Sequence, residues 1–357
     1  MGYYTRSGNV IGDGVLASNK SAVYDLRSIL LNPFINFNPF TLTNAGATGP
    51  IGPTLAQCQA AYSADIYDKL SVNFGYQSYT IETPGTYRFT LKGASGGVWQ
   101  TSPMSASTGA SAPTIDGYKR LPGATVIGEY SLSIGDVITM VIGQGGGDDN
   151  DADANCPGAG GGTFVTLGTF SNIQSAADTL LFVAGGGAGI GYVNADNPTT
   201  NYSIGVGQAG TSGGTTANQA GGTNGNGSPT GQQTSNSVGG GGYLNGPGSN
   251  TTTNFTYSIG NANRVAAGFR KGATGGTWTA NSRGFGGFGG GGQGAATSAS
   301  DDDKGGGGGY SGGGHGFDAA ESGGGGGSYA IGTATNTSFT AGGNTTNRHG
   351  SVYLEIV

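Results

Sequence analysis

Two uninterrupted runs of five glycines, Gly305–Gly309 and Gly323–Gly327, stand in the stretch GGGGGYSGGGHGFDAAESGGGGGSY, and each is followed within two residues by a tyrosine. Glycine loses more conformational freedom on folding than any other residue, so a fold that orders such runs needs packing that only glycine permits. Polyglycine can adopt the polyproline-II helix, with three residues per turn, a rise of about 3.1 Å and no internal hydrogen bonds. Every N–H and C=O then points outward and needs a partner. With no Cβ in the way, neighbouring helices come close enough to supply those partners. Five residues span roughly 15 Å. Further tracts follow the same idiom: GGGAG from Gly185, GGGG from Gly239 and GGFGGGG from Gly286. Side by side they predict a bundle held by backbone hydrogen bonds and weak Cα–H···O contacts.

The alternative is a flexible, low-complexity chain. The 78 glycines and 12 prolines make up about a quarter of the 357 residues, where disorder is a live expectation. Two features argue for order. The chain has 17 Tyr and 14 Phe, whereas disordered segments are poor in aromatics. Charged residues are only 10%, too few to keep an unfolded chain solvated. The net charge of −6 and the lack of a basic stripe exclude nucleic acid as the expected partner. No apolar run is long enough for a membrane span. The start, MGYYTRSGNVIGDG, has no apolar h-region, so no signal peptide is expected. Cys58 and Cys156 are too few for a disulfide scaffold. They could pair or stand as two buried thiols.

From about Leu70, segments alternate apolar and polar residues and are rich in β-branched and aromatic types. They are SVNFGYQSYTI, TYRFTLKG, ATVIGEYSLSI, DVITMVIG, GTFVTLG and TLLFVAG, with HGSVYLEIV closing the chain. Between Gly185 and Gly350 no strand is evident. The expectation is an all-β fold: a β-sandwich whose long glycine-rich insertions form the bundle.

Residues 1–43 read differently. SAVYDLRSILL has apolar spacing compatible with one or two helical turns. Pro33 and Pro39 punctuate the extended, aromatic NPFINFNPF. We read an N-terminal assembly arm bearing Tyr3, Tyr4, Phe34, Phe37 and Phe40, followed by a domain over residues 44–357. GATGPIGPT (46–54) scans as three G-X-Y triplets, too few for a collagen helix, and reads as a polyproline-II-like linker.

The ordered series GATGPIGPTLAQCQAAY, TPGTYRFTLKGASGG, SLSIGDVITMVIGQGGG, CPGAGGGTFV, LLFVAGGGAG, GFGGFGGGG, GGGGGYSGGG and HGSVYLEIV resembles the glycine-rich domain of the anaplastic lymphoma kinase and leukocyte tyrosine kinase receptors. Bacterial and viral surface proteins carry similar domains. The resemblance covers about residues 45–357 and implies the same sandwich and polyglycine-helix bundle. Related domains often have a cysteine just before the GATG-like element. Asn44-Ala45 stands there in this chain, so the implied local disulfide to Cys58 has no first partner. The receptors' kinase and membrane segments are absent from this sequence, and their signalling does not carry over. GYYTRSGNVIG and KSAVYDLRSILL resemble short N-terminal segments of phage virion proteins.

Signs of catalysis are scarce. His315 and His349 lie near no recognisable nucleophile motif and read as loop or bundle-edge residues. Gly205–Gly210 matches GxGxxG, but a sequence this rich in glycine gives such matches by chance. Asp149, Asp151 and Asp153 alternate as calcium-loop carboxylates do. Ala154 replaces the turn glycine and Gly160 stands where a bidentate Glu belongs, so a solvated acidic tip is the plainer reading. Apart from calcium there, no cofactor is expected. The seven sequons, at Asn19, Asn201, Asn226, Asn250, Asn254, Asn336 and Asn344, fit the abundance of Asn, Thr and Ser, and are expected to be unmodified.

The function expected is non-enzymatic: a structural or adhesive virion protein, such as a phage tail-fibre, tip or capsid-surface component. Its arm would join other copies or other virion proteins, and its low-charge loops would face a host receptor or glycan. It would be extracellular on the assembled particle. A self-assembling extracellular fibre or surface-layer subunit and a receptor-like ligand-binding domain are the alternatives.

Overall fold

The computed structural model describes residues 37–99, 112–149, 156–191, 200–217, 219–229, 239–248, 263–278, 284–294, 303–316 and 322–357. Fifteen strands are found among them. These are β1 (Phe40–Leu42), β2 (Leu70–Asn73), β3 (Tyr76–Thr80), β4 (Gly85–Lys92), β5 (Thr114–Ile115), β6 (Tyr118–Lys119), β7 (Thr125–Leu132) and β8 (Val137–Val141), then β9 (Thr163–Leu167), β10 (Thr179–Ala184), β11 (Asn263–Arg264), β12 (Thr277–Trp278), β13 (Tyr329–Ala330), β14 (Thr335–Thr340) and β15 (Ser351–Ile356). Two antiparallel sheets face each other in an all-β sandwich. One is five-stranded in the order β1-β15-β4-β7-β14, the other six-stranded in the order β13-β10-β9-β8-β3-β2. Among the described residues four short α-helices accompany them: α1 (Leu55–Ala61), α2 (Ala64–Tyr67), α3 (Phe170–Gln174) and α4 (Thr200–Gly205).

The five-stranded sheet obeys the alternation rule. In β4, Tyr87, Phe89 and Leu91 are buried while Arg88, Thr90 and Lys92 lean outward. Phe89 meets Phe182 of β10 across the sandwich, ring centroids 5.2 Å apart. Gly128 interrupts β7 because the Phe182 ring lies against it, and a Cβ there would overlap that ring.

The six-stranded sheet breaks alternation because both its faces are covered. Val165 and Phe182 are register partners, so they share the face toward the first sheet. Their neighbours Phe164 and Val183 share the opposite face and join Tyr76, Val141, Tyr243, Phe269 and Phe288 in an aromatic cluster. Phe164 and Phe269 lie 4.8 Å apart, and the Tyr76 hydroxyl donates to the Phe269 carbonyl. Continuous burial on two faces is what makes TLLFVA a continuous apolar run.

Beyond this cluster the glycine tracts pack on one another. Gly305–Gly309 lies at their centre and bonds to six segments. Gly305 N–H donates to Pro157 O, Gly307 to Gly324 O, Gly308 to Gly160 O and Gly309 to Gly241 O, at 2.8–3.2 Å. The tract's carbonyls accept from Gly189, Gly292, Gly313 and Gly186, at 2.8–3.0 Å. A β-strand bonds to two neighbours at most. Bonding to six segments is therefore no sheet ladder. In these tracts backbone takes the place of side chains as the packing partner.

Two sequence readings need correction. GATGPIGPT is no spacer: Gly275 N–H donates to Pro50 O, Phe288 N–H to Gly49 O and the Gln144 amide to Ile51 O. Positive φ at Ala45, Gly46 and Gly49 also breaks any continuous polyproline-II run. The arm, read over residues 1–43, ends earlier. Phe40–Leu42 pairs with Leu354–Val352, and Phe40 is buried against Tyr79 at 4.9 Å. Phe40 thus belongs to the sandwich, within a compact unit Pro39–Val357 distinct from Met1–Asn38. Phe37 falls just before that unit, and Tyr3, Tyr4 and Phe34 lie outside the described residues.

Candidate functional site

The sequence Thr223-Asn224-Gly225-Asn226 forms a tight turn closed by Asn226 N–H donating to Thr223 O at 3.0 Å. Asn224 and Gly225 both have positive φ, +54° and +82°, the type I′ geometry for which Asn-Gly is the preferred pair. The Asn-Gly pair is the turn's local mark in the sequence. The Asn226 amide donates to Thr223 O at 3.1 Å and its oxygen accepts from the Asn245 amide at 2.8 Å. Asn245 is held in turn by Gly242 N–H donating to its carbonyl. Thr223, Asn226, Gly227, Pro229, Asn245, Gly246 and Gly248 line a cleft of about 340 Å³.

The cleft has no titratable residue among its described lining. It offers amide donors and acceptors, a threonine hydroxyl and glycine backbone that a ligand can approach closely. The turn rests on an aromatic base. A Cβ on Gly225 would lie 3.3 Å from Leu244 and 3.7 Å from Tyr310. Tyr310 stacks on Tyr329 at 4.6 Å and on Tyr243 at 6.5 Å. The Tyr243 hydroxyl donates to buried Asp178 at 2.7 Å, and Arg270 pairs with the other Asp178 oxygen at 2.7 Å while lying 4.6 Å over the Tyr243 ring. Burial pushes the Tyr243 phenol well above its ordinary pKa, and the Asp178 charge adds to it. The cleft therefore sits on a rigid support.

A charged cluster lies elsewhere. The fully buried Arg120 bonds to Asp148 and Asp116, each at 2.6 Å, and Arg348 reaches Asp148 at 3.1 Å. Burial opposes both charges of the closest pair, yet the mutual pairing outweighs it: the Arg120 pKa is raised and that of Asp148 lowered. Val98 N–H also donates to Asp148. Two cations and two carboxylates that pair with one another pin loops together and leave no net charge for a ligand.

The candidates from the sequence are dispersed. Asp149 is buried, and its carboxylate accepts from Cys156 N–H at 2.8 Å, so it anchors a loop rather than forming a solvated tip. Asp151 and Asp153 lie outside the described residues. Among the described residues no group of three His, Cys, Asp or Glu could hold a metal ion. No disulfide joins Cys58 to Cys156, and both are buried. His315 is inside the bundle rather than at its edge, with neither ring nitrogen hydrogen-bonded, and burial lowers its pKa to about 4. His349 is likewise lowered to about 4, mainly by burial and then by Arg348, and its Nδ1 accepts from Gly145 N–H. Gly205 ends α4, so a helix precedes the GxGxxG match rather than following it. Among the described residues no helix is long and apolar enough to cross a membrane. No known family model matches the chain.

Proposed function

We propose that this is a non-enzymatic adhesive protein of a virion surface, a phage tail-fibre, tip or capsid-surface component. In this reading the packed polyglycine-II bundle is the scaffold, the uncharged loops meet the host, and residues 1–38 attach to another copy or to a different virion protein. The observation that carries it is the amide cleft on the glycine bundle. Neutral amides, one hydroxyl and bare backbone suit a neutral, hydroxyl-rich ligand such as a cell-surface glycan, in which vicinal hydroxyls both donate and accept. The tyrosine stack beneath fixes the donors in place and limits the ordering cost of binding. The likeness of the ordered glycine motifs to domains of bacterial and viral surface proteins supports the same reading.

A panel of neutral glycans tests it. The full chain should bind a subset of them, and Asn245→Ala, which removes the amide bracing Asn226, should weaken that binding at least tenfold without lowering the melting temperature. Binding only to charged glycans, or binding indifferent to Asn245→Ala, would refute the cleft as the attachment site.

A further inference from the structure

An edge strand presents unpaired N–H and C=O groups, and proteins usually shorten, charge or cover it. Three of the four edges of this sandwich are managed so. β1 has three residues, and Tyr62 closes its end by accepting from Thr43 N–H and donating to Thr43 O. Helices α1 and α2 lead directly into β2 and pack beside it. β13 has two residues. The fourth edge, β14, is different. It has six residues, TNTSFT, all exposed, and pairs on one side with β7. From Ser322 to Asn347 the chain carries no Asp, Glu, Lys or Arg.

Phe339 adds an apolar signal. It is the register partner of Val126, a fully buried residue on the inner face, yet Phe339 is 38% exposed. Its ring overhangs the margin of the sandwich. The bulge between Thr335 and Ser338, with Asn336 at φ +49°, distorts only the start of the strand, and Ser338–Thr340 pairs regularly. The Asn336 amide and Arg88 satisfy nearby Glu129.

We infer that β14 is a self-association edge: it pairs antiparallel with β14 of a second copy, with Phe339 facing its counterpart across the two-fold axis. A neutral Thr/Ser strand is its own complement, since no like charges meet when it pairs with itself. Opposed aromatic residues are favourable cross-strand partners, and each ring covers the other's overhang. A two-fold contact is closed, so the product is a dimer and not a filament. This inference is independent of the glycan reading.

Analytical ultracentrifugation of the full chain tests it. The wild type should sediment as a concentration-dependent dimer. Ser338→Lys, which sets two ammonium groups near the axis, should weaken association at least tenfold at an unchanged melting temperature. Phe339→Cys gives a second readout: because Cys58 and Cys156 are buried, mild oxidation should link two copies through residue 339. A wild type that stays monomeric at high micromolar concentration would overturn the inference. So would association that survives Ser338→Lys, growth into open filaments, or failure of the residue 339 crosslink.

Discussion

A Cβ placed on Gly307 would collide with the carbonyl oxygen of Gly186 and stand 2.7 Å from the backbone nitrogen of Gly326. Both obstacles are backbone, and both are themselves hydrogen-bonded: Gly326 N–H donates to Gly186 O at 2.9 Å. Neither can yield without breaking a bond in the bundle. In a loose loop, Gly→Ala stabilises by about 0.4–1 kcal/mol through the unfolded state. Gly307→Ala should do the reverse and cost at least about 1–3 kcal/mol, as overpacking does. Gly332, with negative φ and nothing within 4 Å of its would-be Cβ, is the internal control. Gly332→Ala should be neutral or mildly stabilising. Thermal melts of the two variants read opposite signs, and a raised melting temperature for Gly307→Ala would remove the solid-bundle account at that position.

The Arg120 cluster makes a second prediction. The Asp148 carboxylate is only 11% exposed and takes two bonds from the Arg120 guanidinium. Removing one partner of a buried pair leaves an uncompensated charge and costs about 3–5 kcal/mol. Arg120→Met should fall at the low end of that range because Arg348 remains beside Asp148. Adding Asp148→Asn should recover part of the loss. Urea midpoints of the two single variants and the double variant give the coupling directly, and strict additivity would show that the pair is not coupled.

What could be read from the sequence depended on which residues carried the signal. Strands β4, β7 and β15 declare themselves because one face of their sheet is apolar and the other is not. β14 was missed because all six of its side chains are exposed and it has no apolar rhythm. α1 was missed although Thr54 and Gln57 form a capping box, a signature that opens at the last residue of the segment read as linker and runs beyond it. The glycine tracts told of their packing because a Cβ fits almost nowhere in them. The cleft was not legible, since it assembles Thr223 and Asn245 from separate loops, and only its Asn-Gly turn left a local mark.

Two histidines, His315 buried and His349 half-buried, set a pH dependence. Both have pKa values lowered to about 4 from an ordinary 6.5. At pH 7 the folded and unfolded chains are alike neutral at these sites. As pH falls below 6.5 the unfolded chain takes up protons that the folded chain refuses, so stability declines until pH reaches about 4 and then levels off at these sites. Each histidine contributes a slope of up to about 1.4 kcal/mol per pH unit in that window. Asp148, whose pKa is lowered, acts separately: its stabilisation is present above the ordinary carboxylate range and is lost only in stronger acid. Urea midpoints measured from pH 7 to pH 4 should fall, and His315→Gln should make the profile shallower while His349 keeps its share. A flat wild-type profile would contradict the buried neutral state.

The boundary of the arm can be cut in two places with different results. Deleting residues 1–38 leaves β1 intact, and the remaining unit, Pro39–Val357, contains both sheets. It should fold with the melting temperature of the full chain and lose only the attachment assigned to the arm. Deleting residues 1–43 removes Phe40 and the fully buried Leu42, strips the β15 edge of its partner and leaves the Tyr62 hydroxyl without Thr43. Burial of the two side chains alone is worth about 3–6 kcal/mol, so this second truncation should melt well below the first. Equal melting of the two truncations would show that β1 adds nothing to the sheet. A 39–357 chain that still binds the partner proposed for the arm would place that attachment outside residues 1–38.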